Sequence, residues 1–300
     1  MRIVYNCSAR ENSQSPSLND CLETGPPLQP LLFDILLRNR MRKFCITGDI
    51  KKAFLQIRVD EKDRDAQRIL WYDNLASRNV TEYRFTRVIF GARPVHVSLE
   101  RHYRSTSEIT RTAQALLEDT YVDDIQGGGN EVADAVAFKE ESIKILSEGG
   151  FSLHKWHSNV AGLDSSEKPG EEETYAKALV GHKENSETKV LGTLWNKTKD
   201  TLAVDFKTCL KVSKPLTKRK IISAIKSVYD VLGWSAPVTI TAKLISSEVC
   251  LLKLHWDEEV PNEVRRKWDA WVTSLQKAPT VTVPRCVFRH QRTHFEVHGF

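Results

Sequence analysis

Three hundred residues (34.2 kDa) allow about two domains with a real buried core, and 40% hydrophobic against 28% charged residues exclude a disordered or collagen-like chain. The net charge of +5 permits a nucleic-acid partner without requiring one. The six cysteines contain no C-x-x-C pair, which excludes a zinc ribbon and suits free thiols in a reducing compartment; MRIVYNCSAR has no apolar signal region and charge interrupts each long apolar stretch, so an intracellular chain, not secreted and with no membrane partner, is expected.

Residues 27–40, PLQPLLFDILLRNR, open on proline and carry an apolar stripe, which predicts a helix. Residues 43–49, KFCITGD, are short and partly β-branched and predict a strand ending on a carboxylate. Residues 55–59 alternate as a second strand would, and 63–71 read as a helix. LLEDTYVDDIQGGG, residues 116–129, predicts two short strands folded at 122–124 and closed by glycines. Residues 133–148 predict a helix stopped by Gly149 and Gly150. The polar stretch 161–188 is a linker or insertion candidate. Beyond it helices are expected at 217–229, 239–254 and 262–277, with a domain boundary near residue 200.

Two acidic sites stand out, Asp49 at a strand end and the pair Asp123-Asp124 at a hairpin tip. Adjacent like charges on a tight turn repel, and a hard cation such as Mg²⁺, held by one or two carboxylates plus substrate phosphates, relieves that repulsion. Two such ions about 3.5–4 Å apart can activate a 3′-hydroxyl and stabilise a leaving pyrophosphate. Asp also favours turns on its own account, so YVDD alone leaves both readings open.

The run from Asp49 to Phe54, DIKKAF, lies upstream of Tyr121-Val122-Asp123-Asp124, and the two together resemble motifs A and C of reverse transcriptases in order, spacing and predicted secondary structure. SLNDCLETGPPLQPLLFDILLR, TEYRFTRVIFG, GGFSLHKWHSN, KVLGTLWN and SVYDVLGWSAPV further resemble the polyproteins of Pao/BEL-type long-terminal-repeat retrotransposons, over nearly the whole chain. The resemblance implies an α+β fold. Residues 1–200 would form a polymerase right-hand palm with truncated fingers, and 201–300 a mostly helical thumb and connection-like region ending before a ribonuclease H domain. It implies an RNA-directed DNA polymerase, a nucleotidyltransferase using Mg²⁺ (or Mn²⁺), a primed RNA or DNA template and deoxynucleoside triphosphates. In an intact element, ribonuclease H and integrase segments would accompany it.

Carried over residue by residue, Asp49 and Asp123 would be catalytic metal ligands and Asp124 an accessory catalytic carboxylate at the primer end. Phe54 matches the aromatic that closes under the incoming sugar, and Arg2 the finger arginine that grips the triphosphate, a task suited to a bidentate guanidinium. Asn6 stands where the family's Asp is expected. Lys155 and Trp156 look like part of the segment after the palm's second helix, and Trp195 part of the primer-grip hairpin at 190–195. Ordinary packing remains open for both tryptophans. Residues 207–226 carry seven basic residues and no acid, so Lys218, Arg219 and Lys220 would follow a phosphate backbone in a thumb. Elsewhere the same run would be a solvated helix face.

Residues 93–110 depart from the family: FGARPVHVSLERHYRST stands where a glycine/serine/proline stretch should lead into a template-side helix. Dropping one base from codons written for ILGATLQKH yields SLERHYRST, residues 98–106, so an out-of-frame patch is expected there, with polymerase activity reduced or absent. A non-catalytic nucleic-acid-binding remnant is therefore the main alternative. A Pao-type peptidase is another, but an aspartic protease needs Asp-Thr/Ser-Gly, and Asp164-Ser165-Ser166 lacks the glycine. His290, His294 and His298 are expected on an exposed strand face rather than around a metal, and no ribonuclease H carboxylate set is expected.

Overall fold

A computed structural model of the chain describes residues 5–23, 29–74, 76, 78–92, 110–164, 186–277 and 279–288. Two compact units emerge, one of residues 1–31, 46–156 and 162–165, the other of 32–45, 157–161 and 166–300. The sequence-expected Arg2, nearly all of the patch at 93–110, most of the linker at 161–188 and the histidines at 290, 294 and 298 lie outside the described residues.

In the first unit, α1 (Leu18–Cys21) is opened by a capping box between Ser17 and Asp20. A four-stranded sheet has the order β4-β5-β1-β6, made of β1 (Phe44–Ile50), β4 (Thr120–Tyr121), β5 (Asp124–Gly129) and β6 (Leu153–Ser158). Two helices pack on β5: α4 (Arg111–Asp119), whose N-cap Thr110 accepts from Ala113 N, and α5 (Val132–Glu148). Gly127 allows that approach, since a Cβ there would collide with the Phe138 ring. The strands are buried as the continuous apolar run of β1 requires, with Cys45, Ile46 and Ile50 fully buried.

Two expectations fail between these strands. Residues 55–59 do not form a strand: Lys52 turns the chain through a left-handed conformation (φ 50°) into α3 (Ala53–Gln56), and only Arg58 makes a β-bridge, to Arg87. Residues 63–71 do not form a helix. A 3₁₀ segment (Glu61–Gln67) gives way to β2 (Arg68–Tyr72), paired with β3 (Val80–Arg84), because the run Ile69 to Tyr72 fits a pleated surface better than a helix. Asp65 ties the base of this hairpin by accepting from Arg84 at 2.8 Å and Arg68 at 3.1 Å. The expected hairpin at 116–129 is shorter than anticipated, since Leu116 to Asp119 belong to α4.

The second unit holds α2 (Leu32–Met41), which begins five residues later than its sequence suggests. Its antiparallel sheet has the order β10-β9-β8-β7, formed by β7 (Glu187–Val190), β8 (Thr193–Asn196), β9 (Thr201–Asp205) and β10 (Thr280–Pro284). Strand structure thus runs past residue 200, and β9 pairs with β10 from Thr201↔Pro284 to Asp205↔Thr280. After β9 come the short α6 (Lys207–Leu210), then α7 (Lys218–Lys226), α8 (Ala236–Leu251) and α9 (Asn262–Leu275), close to the three expected helices. Phe206, Ile221, Val249, Trp268 and Trp271 share one core; each aliphatic or aromatic side chain so buried contributes about 1.5–3 kcal/mol. Arg285 is fully buried. Its guanidinium meets both carboxylate oxygens of Asp200 at 2.6 and 2.8 Å and donates to the carbonyls of Asn39, Arg42 and Lys43.

Candidate functional site

The site is built where β1 ends. Cys45 to Gly48 and Ile50 are buried, whereas the Asp49 side chain between them is 27% exposed. Ile50 N donates to Asp123 O at 2.8 Å, which fixes the tip of the β4–β5 hairpin against the strand carrying Asp49. In that hairpin Tyr121 faces Asp124, leaving Val122 and Asp123 as a two-residue loop. Val122 sits at φ 60°, an outlier for a β-branched residue and a cost of about 1–3 kcal/mol. Strain of this kind is concentrated at sites whose geometry must be held.

Three carboxylates therefore lie in one electrostatic neighbourhood. Burial first, then the charges on Asp123 and Asp49, push Asp124 from its ordinary 3.8 up to about 7, with Lys155 pulling the other way. Asp49 has two partners on β6: His154 Nε2 donates to Oδ1 at 3.1 Å and Lys155 Nζ to Oδ2 at 3.2 Å. Lys51 N, just beyond β1, donates to Ser152 O at 2.8 Å and so ties the start of β6 to the same corner.

Among the described residues, no three His, Cys, Asp or Glu side chains converge closely enough to hold a metal ion together. The donor chemistry still suits a hard cation. Mg²⁺ needs only one or two protein carboxylates when phosphates supply the rest, and Asp124 is raised first by burial and then by the charges of Asp123 and Asp49. Asp49 and Asp123 fit that minimal set.

Phe54 follows Asp49 by five residues on α3, half-buried, its ring edge-on to Phe90 at 4.9 Å. Lys155, expected on a primer or template surface, stands beside the carboxylates with its side chain half-exposed. Both tryptophans are packed in the interior. Trp156 is 5% exposed, packed beneath Gly48 with Lys139 Nζ 5.5 Å from its ring centroid; Trp195 is fully buried, its Nε1 donating to Asp200 at 3.1 Å under the Arg285 guanidinium. Packing claims both rings, so neither offers a face to a primer.

The basic run on α7 is also partly committed. Arg219 donates to both oxygens of Asp257 at 2.7 and 2.9 Å, and Lys220 Nζ donates to the carbonyls of Ser213 and Pro215. Lys218 stands 5.3 Å from the centroid of the half-exposed Trp256 ring. His154 was missed by sequence reasoning. Its neighbour Lys155 stands out only as part of the segment that resembles the stretch after a palm's second helix, and nothing in the one-dimensional pattern shows that two consecutive strand residues converge on one carboxylate.

Residues 217–300 match the family described as the Pao retrotransposon-like RNaseH-like domain. No curated protein matches the chain. Among solved structures, the foamy viral protease-reverse transcriptase in complex with an RNA/DNA hybrid matches at 14% identity and a TM-score of 0.51, over 83% of this chain and 29% of that one. The foamy viral protease-reverse transcriptase dRH with double-stranded DNA matches at 14% identity and 0.53, over 87% and 40%. The foamy viral protease-reverse transcriptase with double-stranded DNA matches at 14% and 0.52, over 87% and 47%. The chain spans less than half the length of these structures, and at this identity the likeness is one of fold.

The chain is therefore a mixed α/β protein with antiparallel sheets whose fold is similar to that of a viral protease-reverse transcriptase. Its last 84 residues are similar to a family described as retrotransposon-like. The description there is RNaseH-like, where the resemblance implied a thumb and connection-like region, and it is not that of a peptidase. Most of the described acids of this stretch have structural partners. Asp257 pairs with Arg219, Glu259 with Arg265, Glu248 and Glu263 with Lys267, and Asp230 accepts from Trp234 N and Ser235 N. Among the described residues none of them joins a metal-binding cluster. Likewise, no helix among the described residues is long and apolar enough to cross a membrane.

Proposed function

We propose that this chain carries the polymerase segment of a retrotransposon reverse transcriptase, with a palm and partial fingers in residues 1–200, followed by a stretch whose residues 217–300 match an RNaseH-like family. The observation that carries the reading is the Ile50 N to Asp123 O hydrogen bond, which joins the strand end bearing Asp49 to the strained tip bearing Asp123 and Asp124. The shared fold supports it.

In this reading the 3′-oxygen of a primer attacks the α-phosphorus of a deoxynucleoside triphosphate, a P–O bond forms, the bond to pyrophosphate breaks, and the hydroxyl proton passes from the attacking oxygen to solvent water. Asp49 and Asp123 would hold Mg²⁺, which would supply activation of that hydroxyl and charge stabilisation of the leaving pyrophosphate. Asp124 stands at the primer end, and Phe54 lies under the incoming sugar. Nucleic acid is held through its backbone, with Lys218 the least committed cation of α7. The foamy viral structures contain an RNA/DNA hybrid or double-stranded DNA, ligands of the kind this reading requires.

Primer extension on an RNA template with Mg²⁺ and deoxynucleotides tests it, comparing the chain with Asp123→Asn. Extension lost in the variant is the expected result. A folded chain that binds primer–template yet extends nothing supports the second reading, a nucleic-acid-binding remnant. That reading is favoured by the sequence at 93–110, which departs from the pattern of the resembled family.

A further inference from the structure

Successive side chains on a strand normally point to opposite faces, so residues 154 and 155 of β6 should not reach the same atom group. They do so here because Lys155 adopts a left-handed backbone conformation, φ 51°, which breaks the alternation. The result is a two-pronged grip on Asp49: His154 Nε2 at 3.1 Å from Oδ1 and Lys155 Nζ at 3.2 Å from Oδ2. Both carboxylate oxygens are thereby engaged. A lysine has no intrinsic preference for this conformation, and the grip on Asp49 is what the distortion achieves.

A divalent cation binding Asp49 needs at least one of these oxygens. Lys155 also faces the charge on Asp124, so it compensates two of the three carboxylates at once. We propose that His154 and Lys155 form a clasp that competes with the divalent cation for Asp49, holding the carboxylate corner together without a cation and lowering the affinity with which one enters. Both are positioning residues. The inference rests on the reading of Asp49 as a cation ligand, and it adds a device that weakens the very site it orders.

Mn²⁺ titration of the full chain, followed by calorimetry and by the electron paramagnetic resonance of the free ion, tests it. Chains compared are the wild type, Lys155→Asn, His154→Gln, and each of these combined with Asp49→Asn. Asn tolerates the left-handed conformation, and His154→Gln leaves that backbone untouched, so one variant keeps the test open should the other misfold. Lys155→Asn is expected to bind Mn²⁺ roughly fivefold more tightly than wild type, His154→Gln about twofold, and Asp49→Asn to remove that binding in every background. A merely structural role predicts the reverse, because loosening the corner would weaken binding. Asp49-dependent binding that is unchanged or weaker in both clasp variants overturns the clasp alone. No Asp49-dependent binding in any chain overturns the cation-ligand reading and the clasp with it.

Discussion

The Trp156 ring lies 2.9 Å from the point where a Cβ on Gly48 would stand, so the residue before Asp49 has room for a hydrogen and nothing more. The ring is 5% exposed and has Lys139 near its face, which leaves it little space to retreat. Gly48→Ala should therefore overpack this corner and destabilise the chain by about 1–3 kcal/mol. Thermal unfolding checks it, at roughly 2–4 °C per kcal/mol for a chain of this size or somewhat smaller. An unchanged midpoint would show that the ring moves freely.

Asp124 gives the cation-free protein an inverted acid response. Its folded value of about 7 lies above the ordinary 3.8, so between these values the folded state binds more protons than the unfolded state. Stability from this group is present in full below 3.8 and is lost as pH rises through about 7, with a limiting slope of about 1.4 kcal/mol per pH unit. Urea unfolding from pH 4.5 to 7.5 should show the loss, and Asp124→Asn should flatten the profile. If the two chains have parallel profiles, the carboxyl is not buried among like charges.

Removing one member of the Arg285–Asp200 pair strands the other, and Arg285 has no exposed surface through which water could compensate. Arg285→Met or Asp200→Asn should each cost about 3–5 kcal/mol. Because both changes remove one interaction, the double variant should be destabilised by less than their sum. Strict additivity in denaturant melts would mean that the two side chains act independently.

If α7 follows a phosphate backbone, its cations should not count equally. Lys218→Ala should reduce the slope of log affinity against log salt for a primer–template duplex by about 1. Asp257→Asn releases Arg219 from its bidentate pair and should steepen the same slope by about 1. Equal slopes in wild type and both variants would remove α7 from the interface.

The strong periodic segments were legible from sequence. Residues 133–148 and 262–277 carry long apolar stripes, and the helices found at Val132–Glu148 and Asn262–Leu275 fall within two residues of those limits. Short elements were not legible, since a few residues carry too little pattern to outweigh tertiary context. Residues 55–59 fit an alternating strand in sequence, whereas the turn at Lys52 and the packing of Phe54 on Phe90 accompany the short helix that forms. The same holds for the site. Asp49 and the Asp123-Asp124 tip were visible as a motif, but His154 was not, because its role depends on a backbone reversal at Lys155. Trp156 and Trp195 were legible as notable residues, whereas their burial depends on Gly48 and Arg285, one of them 90 positions away.

Neither compact unit is one continuous stretch of chain. The carbonyls of α2 and the residues after it wait for a guanidinium that is synthesised more than 240 positions later. On the ribosome, Asn39, Arg42 and Lys43 must therefore wait for this partner until residue 285 has emerged, which makes closure of the second unit a long-range event. A gene cut once between residues 43 and 285 separates these groups wherever the cut falls. Shuffling either unit into another protein would take several coordinated junctions, so the two would tend to be inherited as one block.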